Sequence, residues 1–125
     1  MALTIHSSAR SFPNLPYDKM LHAILGKSYN LSLVFVGATR AQALNQTYRK
    51  ASYIPNVLSF PLSPIDGEIY ITPRIASREC KKFNMTPEGY MGYLFIHGLL
   101  HLKGHTHSDT MDALEKKYVR LFKLT

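Results

Sequence analysis

The segment from Phe95 to Ser108, FIHGLLHLKGHTHS, constrains the fold more than any other part of the chain. Its histidines follow an H-x-x-x-H-x-x-G-x-x-H frame made by His97, His101, Gly104 and His107. On a helix, residues four apart lie one turn above each other, so His97 and His101 can direct both imidazoles at one point. Gly104 can take a positive φ and end the helix, which allows His107 to return as a third ligand.

Three imidazoles around one point form a metal centre with an open fourth position, an arrangement typical of catalytic zinc. The helix around them is nearly continuously apolar, and burying polar rings there costs free energy unless something binds them. Zinc proteases with this spacing carry a general-base Glu directly after the first histidine, where this chain has Gly98. We therefore expect one zinc, or another divalent transition metal, without peptidase chemistry and with His105 outside the site. We also expect Gly98 to leave substrate a path to the metal.

Composition limits what surrounds this site. With 125 residues, 46% of them hydrophobic, the chain suits one domain spanning 1–125. The single cysteine, Cys80, fits a reducing compartment and a buried structural role. We find no secretory signal and no stretch long enough to span a bilayer, so we expect a cytoplasmic protein without membrane contact. The net charge of +7 favours a polyanionic partner, with nucleic acid first.

Hydrophobic periodicity and turn residues predict the order βαβαββααα, an α+β or α/β sandwich. We interpret nearly all the aromatic residues as core. The first predicted elements are a strand over Ala2–Ser7, a helix over Pro16–Lys27 and a strand over Leu31–Val36. A second helix is predicted to be capped by Thr39, to carry Leu44 and Tyr48 inward and to end near Arg49. Strands VLSFPLS and EIYIT around a P-I-D-G turn follow, and then helices after Thr72, Thr86 and Ser108.

Cations recur at helical spacing on two predicted helices. Such faces are often merely solvated, but together with the net charge they favour an RNA or DNA contact surface. The first basic face comprises Arg74, Arg78, Lys81 and Lys82. The second comprises Lys116, Lys117, Arg120 and Lys123.

The segments LNQTYRKASYIPNVLSFP, DGEIYIT and HGLLHLKGHTH, followed by MDALE, resemble the YbeY family, bacterial metal-dependent endoribonucleases implicated in ribosomal RNA maturation and ribosome quality control. The resemblance implies zinc on the three histidines of the frame and a preference for single-stranded RNA. It also implies a mixed four-stranded sheet with about five helices, the metal-site helix being in the core. Arg49 corresponds to an important arginine, and the strand carrying Ser59 should border the cleft, with Ser59 as a substrate-binding residue. The implied partners are ribosomal RNA, ribosomal proteins and small-subunit particles.

Four positions depart from the family pattern: Ala51, Ser52, Pro55 and Thr106. The first two stand where the family commonly has Lys and Asp, so we expect a lost phosphate contact. Thr106 replaces an Asp before the last histidine. Loss of a carboxylate that supports a ligating histidine lowers metal affinity or activity by about 10–100-fold, so we expect weaker metal binding.

The chemistry that fits this residue set is phosphodiester cleavage. The metal would polarise a phosphoryl oxygen while the Arg49 guanidinium balances charge on the phosphate. The candidate catalytic set is then Arg49 with the three histidines, and the general base is unassigned, with His105 and Glu68 as guesses. Two other classes stay open. One is a non-catalytic ribosome-assembly factor, and the other is a metallohydrolase acting on a peptide or small molecule.

Overall fold

The computed structural model describes residues 2–8 and 12–125, and it confirms the predicted element order. A short 3-10 turn, Cys80–Phe83, extends the third helix. The strands are β1 Ala2–Ser7, β2 Asn30–Phe35, β3 Val57–Ser63 and β4 Asp66–Ile71. The helices are α1 Tyr17–Leu25, α2 Ala38–Arg49, α3 Pro73–Glu79, α4 Pro87–Lys103 and α5 Asp109–Leu121.

The four strands form one mixed sheet in the order β1-β2-β4-β3. Strand β2 pairs in parallel with both β1 and β4, whereas β3 pairs antiparallel with β4 at the edge. The register of this last pair shifts between Pro61 and Ser63. Proline cannot donate to a ladder, which explains why Pro61 lies in the edge strand.

The main core lies between one face of the sheet and the helices α1 and α4. From α1, Met20 and Leu21 are fully buried, and β4 contributes Ile69 and Ile71 on the same face. Helix α4 is buried on most of its surface, as the apolar run around the histidines predicted. The other sheet face is covered by α2, whose Ala41 packs in a smaller cluster with residues of β3 and β4.

Side-chain hydroxyls cap the N-termini of two of the helices. The Thr86 hydroxyl accepts a hydrogen bond from the Gly89 amide at 3.0 Å at the start of α4, and Ser108 accepts one from Met111 at 3.2 Å at the start of α5. The predicted N-cap of α2 was wrong, because Gly37 and not Thr39 holds that position, whereas the predicted end near Arg49 is confirmed. The first turn forms earlier since the Ala41 amide bonds to the Gly37 carbonyl while Ala41 packs against the sheet.

The assignment of the aromatic residues to the core is wrong for several rings. Phe12, Tyr48, Tyr53 and Phe83 expose between 39% and 66% of their surface. Tyr48 was expected to point inward from α2, but the buried residues of that helix are Ala41 and Asn45. Cys80 is buried, as expected. Among the described residues, no helix has both the length and the apolar character needed to cross a membrane.

Candidate active site

The three histidines of the frame meet at the C-terminal end of α4. Nitrogen atoms of His97, His101 and His107 all lie within 4.8 Å of one another. His97 and His101 are half-buried on successive turns of the helix, and His107 is exposed on the loop that follows. Within the described residues, the His105 ring is not part of this group. The structure therefore brings together the three ligands that the spacing predicted.

The outer nitrogens of two histidines are already held by acceptors. Nδ1 of His101 is 3.0 Å from the His105 carbonyl, and Nδ1 of His97 is 2.5 Å from a carboxylate oxygen of Glu115. A carbonyl or carboxylate oxygen can only accept, so each Nδ1 donates its proton outward. Each Nε2 of the neutral rings then presents a lone pair inward.

Those two inward nitrogens, Nε2 of His97 and Nε2 of His101, are 3.0 Å apart. Two lone pairs at that distance repel unless a cation lies against both of them. Burial lowers the pKa of the His101 imidazole, and the neighbouring His97 lowers it further, so the neutral ring that a metal requires is favoured. The donor set fits a divalent metal ion that accepts imidazole nitrogen.

Glu115 is a residue of the candidate site that reasoning from the sequence missed. It is buried at 5% exposure on the face of α5 that also carries Met111 and Tyr118. A carboxylate that accepts from a ligating histidine fixes its tautomer and orientation. The sequence signal that could have identified Glu115 is its position as a charged residue within the otherwise apolar stripe of α5. The expectation of weaker metal binding concerns Thr106 beside a different ligand, His107, and it stays a prediction.

Gly104 makes the turn that the frame required. It ends α4 with φ of 109°, and its amide and that of His105 bond back to the last turn of the helix. The turn places the His105 carbonyl beside Nδ1 of His101. His105 therefore contributes its backbone to the site, and Gly104 is needed because a side chain is strained at this positive φ.

The expectation for Gly98 was wrong. Gly98 is buried against the sheet, where an added Cβ would lie 2.9 Å from Oγ of Ser59 and 3.0 Å from Cδ1 of Ile69. The Ser59 hydroxyl also donates to the Gly98 carbonyl at 3.2 Å. Glycine here allows α4 to approach β3 and β4 closely, and it opens no path to the metal.

The histidines open into a cleft of about 840 Å³. Arg49, exposed on the last turn of α2, lines it, as does Ser59 on β3. The structure thus brings both residues to the same cleft as the three histidines. The full lining is Tyr48, Arg49, Tyr53, Pro55, Asn56, Val57, Ser59, Phe60, Phe83, Tyr90, Tyr93, Leu94, His97, His101, Thr106 and His107.

Side chains of α2 hold the loop that follows it. The Gln42 amide donates to the Ser52 carbonyl at 2.6 Å, and the Asn45 amide donates to the Tyr53 carbonyl at 3.0 Å. Asn45 is fully buried, so this contact lies beneath the loop. Positions Ala51 and Ser52, which depart from the family pattern, therefore belong to an anchored loop between the cleft-lining residues Arg49 and Tyr53, and neither of them lines the cleft.

A second polar cluster joins three elements at the cleft. The Glu79 carboxylate accepts from Asn56 at 3.1 Å and from the Tyr90 hydroxyl at 3.0 Å. Burial raises the pKa of Tyr90, and hydrogen bonding to Glu79 adds to the effect, so the phenol stays protonated as a donor. Burial also raises the pKa of Tyr93 to about 12, with further contributions from Glu115 and Asp112. These contacts fix β3 and α4 relative to α3.

Other sequence candidates lie away from the histidines. Glu68 alternates with Ile69 on β4, so it lies on the sheet face covered by α2, where the Tyr70 hydroxyl donates to it at 3.4 Å. The guess that Glu68 is the general base is therefore wrong.

The first basic face is exposed on α3 and the 3-10 turn, outside the cleft lining, and comprises Arg74, Arg78, Lys81 and Lys82.

The second basic face differs slightly from its predicted form. Lys123 follows the end of α5 and has a positive φ, so it does not continue the helix. Lys116 and Arg120 line a second groove of about 570 Å³, which shares Phe83 and Tyr93 with the cleft. Lys117 lies over the Tyr118 ring at 5.3 Å.

Comparison with known proteins gives consistent matches. The family model for Endoribonuclease YbeY matches residues 9–122. An Endoribonuclease YbeY of Mycoplasma mycoides subsp. mycoides SC is 36% identical, with 77% of this chain and 71% of the relative covered. One from Mesoplasma florum is 40% identical, with 75% of this chain and 62% of the relative covered. The enzyme of that name from Thiobacillus denitrificans is 30% identical, with 90% and 81% covered.

The fold has a solved neighbour as well. A solution structure of a protein from Thermotoga maritima aligns with a TM-score of 0.65 and 28% sequence identity. The alignment covers 94% of this chain and 87% of that one. The family match, the relatives and the three-histidine cluster agree, and the chain therefore belongs to the Endoribonuclease YbeY family of nucleases.

Proposed function

We propose that this protein is a zinc-dependent endoribonuclease that prefers single-stranded RNA and acts in ribosomal RNA maturation and ribosome quality control. The observation that carries the proposal is the convergence of His97, His101 and His107 in a cleft that Arg49 also lines. Family membership supports RNA as the substrate. A net charge of +7 suits a polyanion.

Zinc is the metal that we propose because all three donors are imidazole nitrogens and the set leaves one position open. A zinc ion held here would supply a Lewis acid for a phosphoryl oxygen and lower the pKa of a bound water. The protein contributes the orientation of the ligands. Glu115 and the His105 carbonyl hold His97 and His101 so that both Nε2 atoms face the same point.

Arg49 is the residue that we propose for binding the phosphate. Its guanidinium can offer two parallel N–H groups to phosphoryl oxygens and stabilise the charge that grows there during cleavage. The side chain is exposed at the cleft, so it can reach a bound strand. Ser59 acts indirectly, because its hydroxyl is engaged with the Gly98 carbonyl and so helps to hold α4 against β3.

The proposed partners are ribosomal RNA, ribosomal proteins and small-subunit particles in the cytoplasm. The two basic faces support this part of the proposal, because each offers several cations outside the cleft. Such cations would bind RNA beyond the point of cleavage without reading its sequence. The aromatic lining of the cleft suits unpaired bases, which supports the preference for single strands.

A cleavage assay with two matched RNAs tests the proposal. Zinc-loaded protein is incubated with a labelled single strand and with its duplex, and the products are separated by length. We expect internal cuts that are faster in the single strand and that stop when a chelator removes the metal. Binding to ribosomal particles without cleavage of any RNA would instead favour the non-catalytic assembly factor.

A further inference from the structure

Three of the exposed aromatic rings line the cleft. Tyr48 is 66% exposed, Tyr53 58% and Phe83 54%, and all three belong to the cleft lining. Rings this exposed gain little from burial in the folded protein. Their position beside Arg49 and the histidines combines planar apolar surfaces with cationic and metal-binding groups. Nucleic acid offers the matching combination of base faces and phosphates.

The Tyr48 ring is supported from behind. It packs on Phe60 with ring centroids 5.3 Å apart, and Phe60 in turn contacts the buried ring of Tyr70 at 5.7 Å. The Tyr48 ring is therefore held by an aromatic neighbour while most of the residue's surface stays exposed. Arg49 lines the same cleft, so one bound strand can place a base on Tyr48 and a phosphate on Arg49.

The Phe83 ring is supported in a similar way. It stacks on Tyr90 with centroids 5.2 Å apart and planes inclined by 18°. Tyr90 stacks on Tyr93 at 5.7 Å, and Tyr93 lies 6.3 Å from the His97 ring. A row of rings thus leads from the exposed Phe83 to the metal ligands.

From these contacts, we propose that Tyr48 and Phe83 are stacking platforms for unpaired bases of the nucleotides that flank the bond to be cut. The inference rests on the proposed function, because it assigns binding residues to the same cleft. Stacking on both rings requires bases that are free of a duplex. The two rings would therefore impose the preference for single strands, while the phosphates are held by charge.

Binding measurements with alanine and aromatic replacements test the two rings. A labelled RNA oligomer and a copy lacking bases at internal positions are titrated by fluorescence anisotropy against metal-free protein, so that no RNA is cut. We expect Tyr48→Ala and Phe83→Ala each to weaken binding of the intact oligomer by about 5–100-fold. Tyr48→Phe and Phe83→Tyr should bind within about twofold of wild type because they keep the ring.

The oligomer without bases separates stacking from a general loss of binding. It should bind weakly to wild type, and the alanine variants should bind it as wild type does. Leu62→Ala is the control, because Leu62 is 63% exposed and lies outside the cleft lining. This variant should bind both oligomers normally. Unchanged thermal unfolding should show that the alanine variants fold.

Two results would overturn the inference and leave the proposed function intact. In the first, wild type cuts RNA but the alanine variants bind the intact oligomer as tightly as wild type. In the second, the variants lose affinity equally for both oligomers, which would show that the rings act without contacting bases. A wild-type protein that neither binds nor cuts RNA would overturn the proposed function, and this inference with it.

Discussion

At the scale of single residues, the site depends on how the protons of its histidines are directed. Glu115 and the His105 carbonyl each take a proton from an Nδ1, so both facing nitrogens are left as donors of lone pairs. The spacing of the histidines predicted the ligands. It did not predict Glu115, because a glutamate on an amphipathic helix ordinarily faces solvent, and only the packing of α5 on α4 buries it.

The Glu115 carboxylate should therefore control metal affinity. Glu115→Gln keeps the size of the side chain but removes its charge, and we expect zinc affinity to fall by about 10–100-fold. A competition titration with a chromogenic chelator measures the change. Asp112→Asn, an exposed position on the same helix, is the control and should keep the wild-type affinity. Equal affinities for Glu115→Gln and wild type would show that the contact does not orient His97.

Arg49 gives a second prediction at this scale. Arg49→Ala should abolish most RNA cleavage while zinc content and helical circular dichroism stay unchanged, because the side chain is exposed and lies outside the core. Arg49→Lys should restore little activity, because lysine lacks the planar fork. Arg40→Ala, an exposed cation near the other end of α2, is the control. Full activity in Arg49→Ala would reject the role, and lost zinc would make Arg49 structural.

At the scale of elements, local signals predicted much of the fold. Thr86 followed by Pro87 placed the start of α4, and Gly104 placed its end. The role of Gly98 could not be read in the same way, because the distance between a helix and a sheet depends on residues far apart in the chain. The exposure of Tyr48 was missed for a related reason. Tyr48 has the helical spacing of the buried residues Ala41 and Asn45, but the last turn of α2 contributes to the cleft instead of the core.

Substitutions at Gly98 test how closely α4 packs on the sheet. Gly98→Ala should destabilise the protein, because overpacking against Ser59 and Ile69 typically costs about 1–3 kcal/mol and the gain in helix propensity returns about 1 kcal/mol. Gly98→Glu should fail to pack α4 on the sheet. Urea unfolding measures the free energy. Gly37→Ala has open space around the added Cβ and should change it by under about 1 kcal/mol. A Gly98→Ala protein that is more stable than wild type by the full gain in helix propensity, about 1 kcal/mol, would contradict the close packing.

At the scale of the whole molecule, the fold places a cluster of three histidines, an arginine and two basic faces on one small positively charged protein. Helix α4, which carries two of the histidines, packs against the edge strand β3, and the Ser59 hydroxyl on β3 donates to the Gly98 carbonyl of α4. The sequence predicted the charge and the helical spacing of the cations. It did not show that the first basic face lies outside the cleft, since this depends on how α3 packs on α4.

The basic face on α3 should make RNA binding sensitive to salt. Each phosphate contact on a single strand contributes about 0.7 to the slope of log affinity against log salt concentration. Replacing Arg74, Arg78, Lys81 and Lys82 by alanine should therefore lower that slope by up to about 3 in an anisotropy titration. Lys19→Ala with Lys27→Ala, both exposed on or beside α1, is the control. An unchanged slope in the α3 variant would mean that this face is only solvated.

The central claim is that the three-histidine centre is where RNA is cut, and His101→Ala tests it most directly. Zinc-loaded wild type and His101→Ala are compared for zinc content, for binding of a labelled single-stranded RNA and for cleavage of that RNA. We predict that the variant loses zinc and nearly all cleavage but still binds RNA, because Arg49 and the basic faces are unchanged. A folded His101→Ala protein that cuts the RNA at the same positions and rate as wild type would contradict the claim.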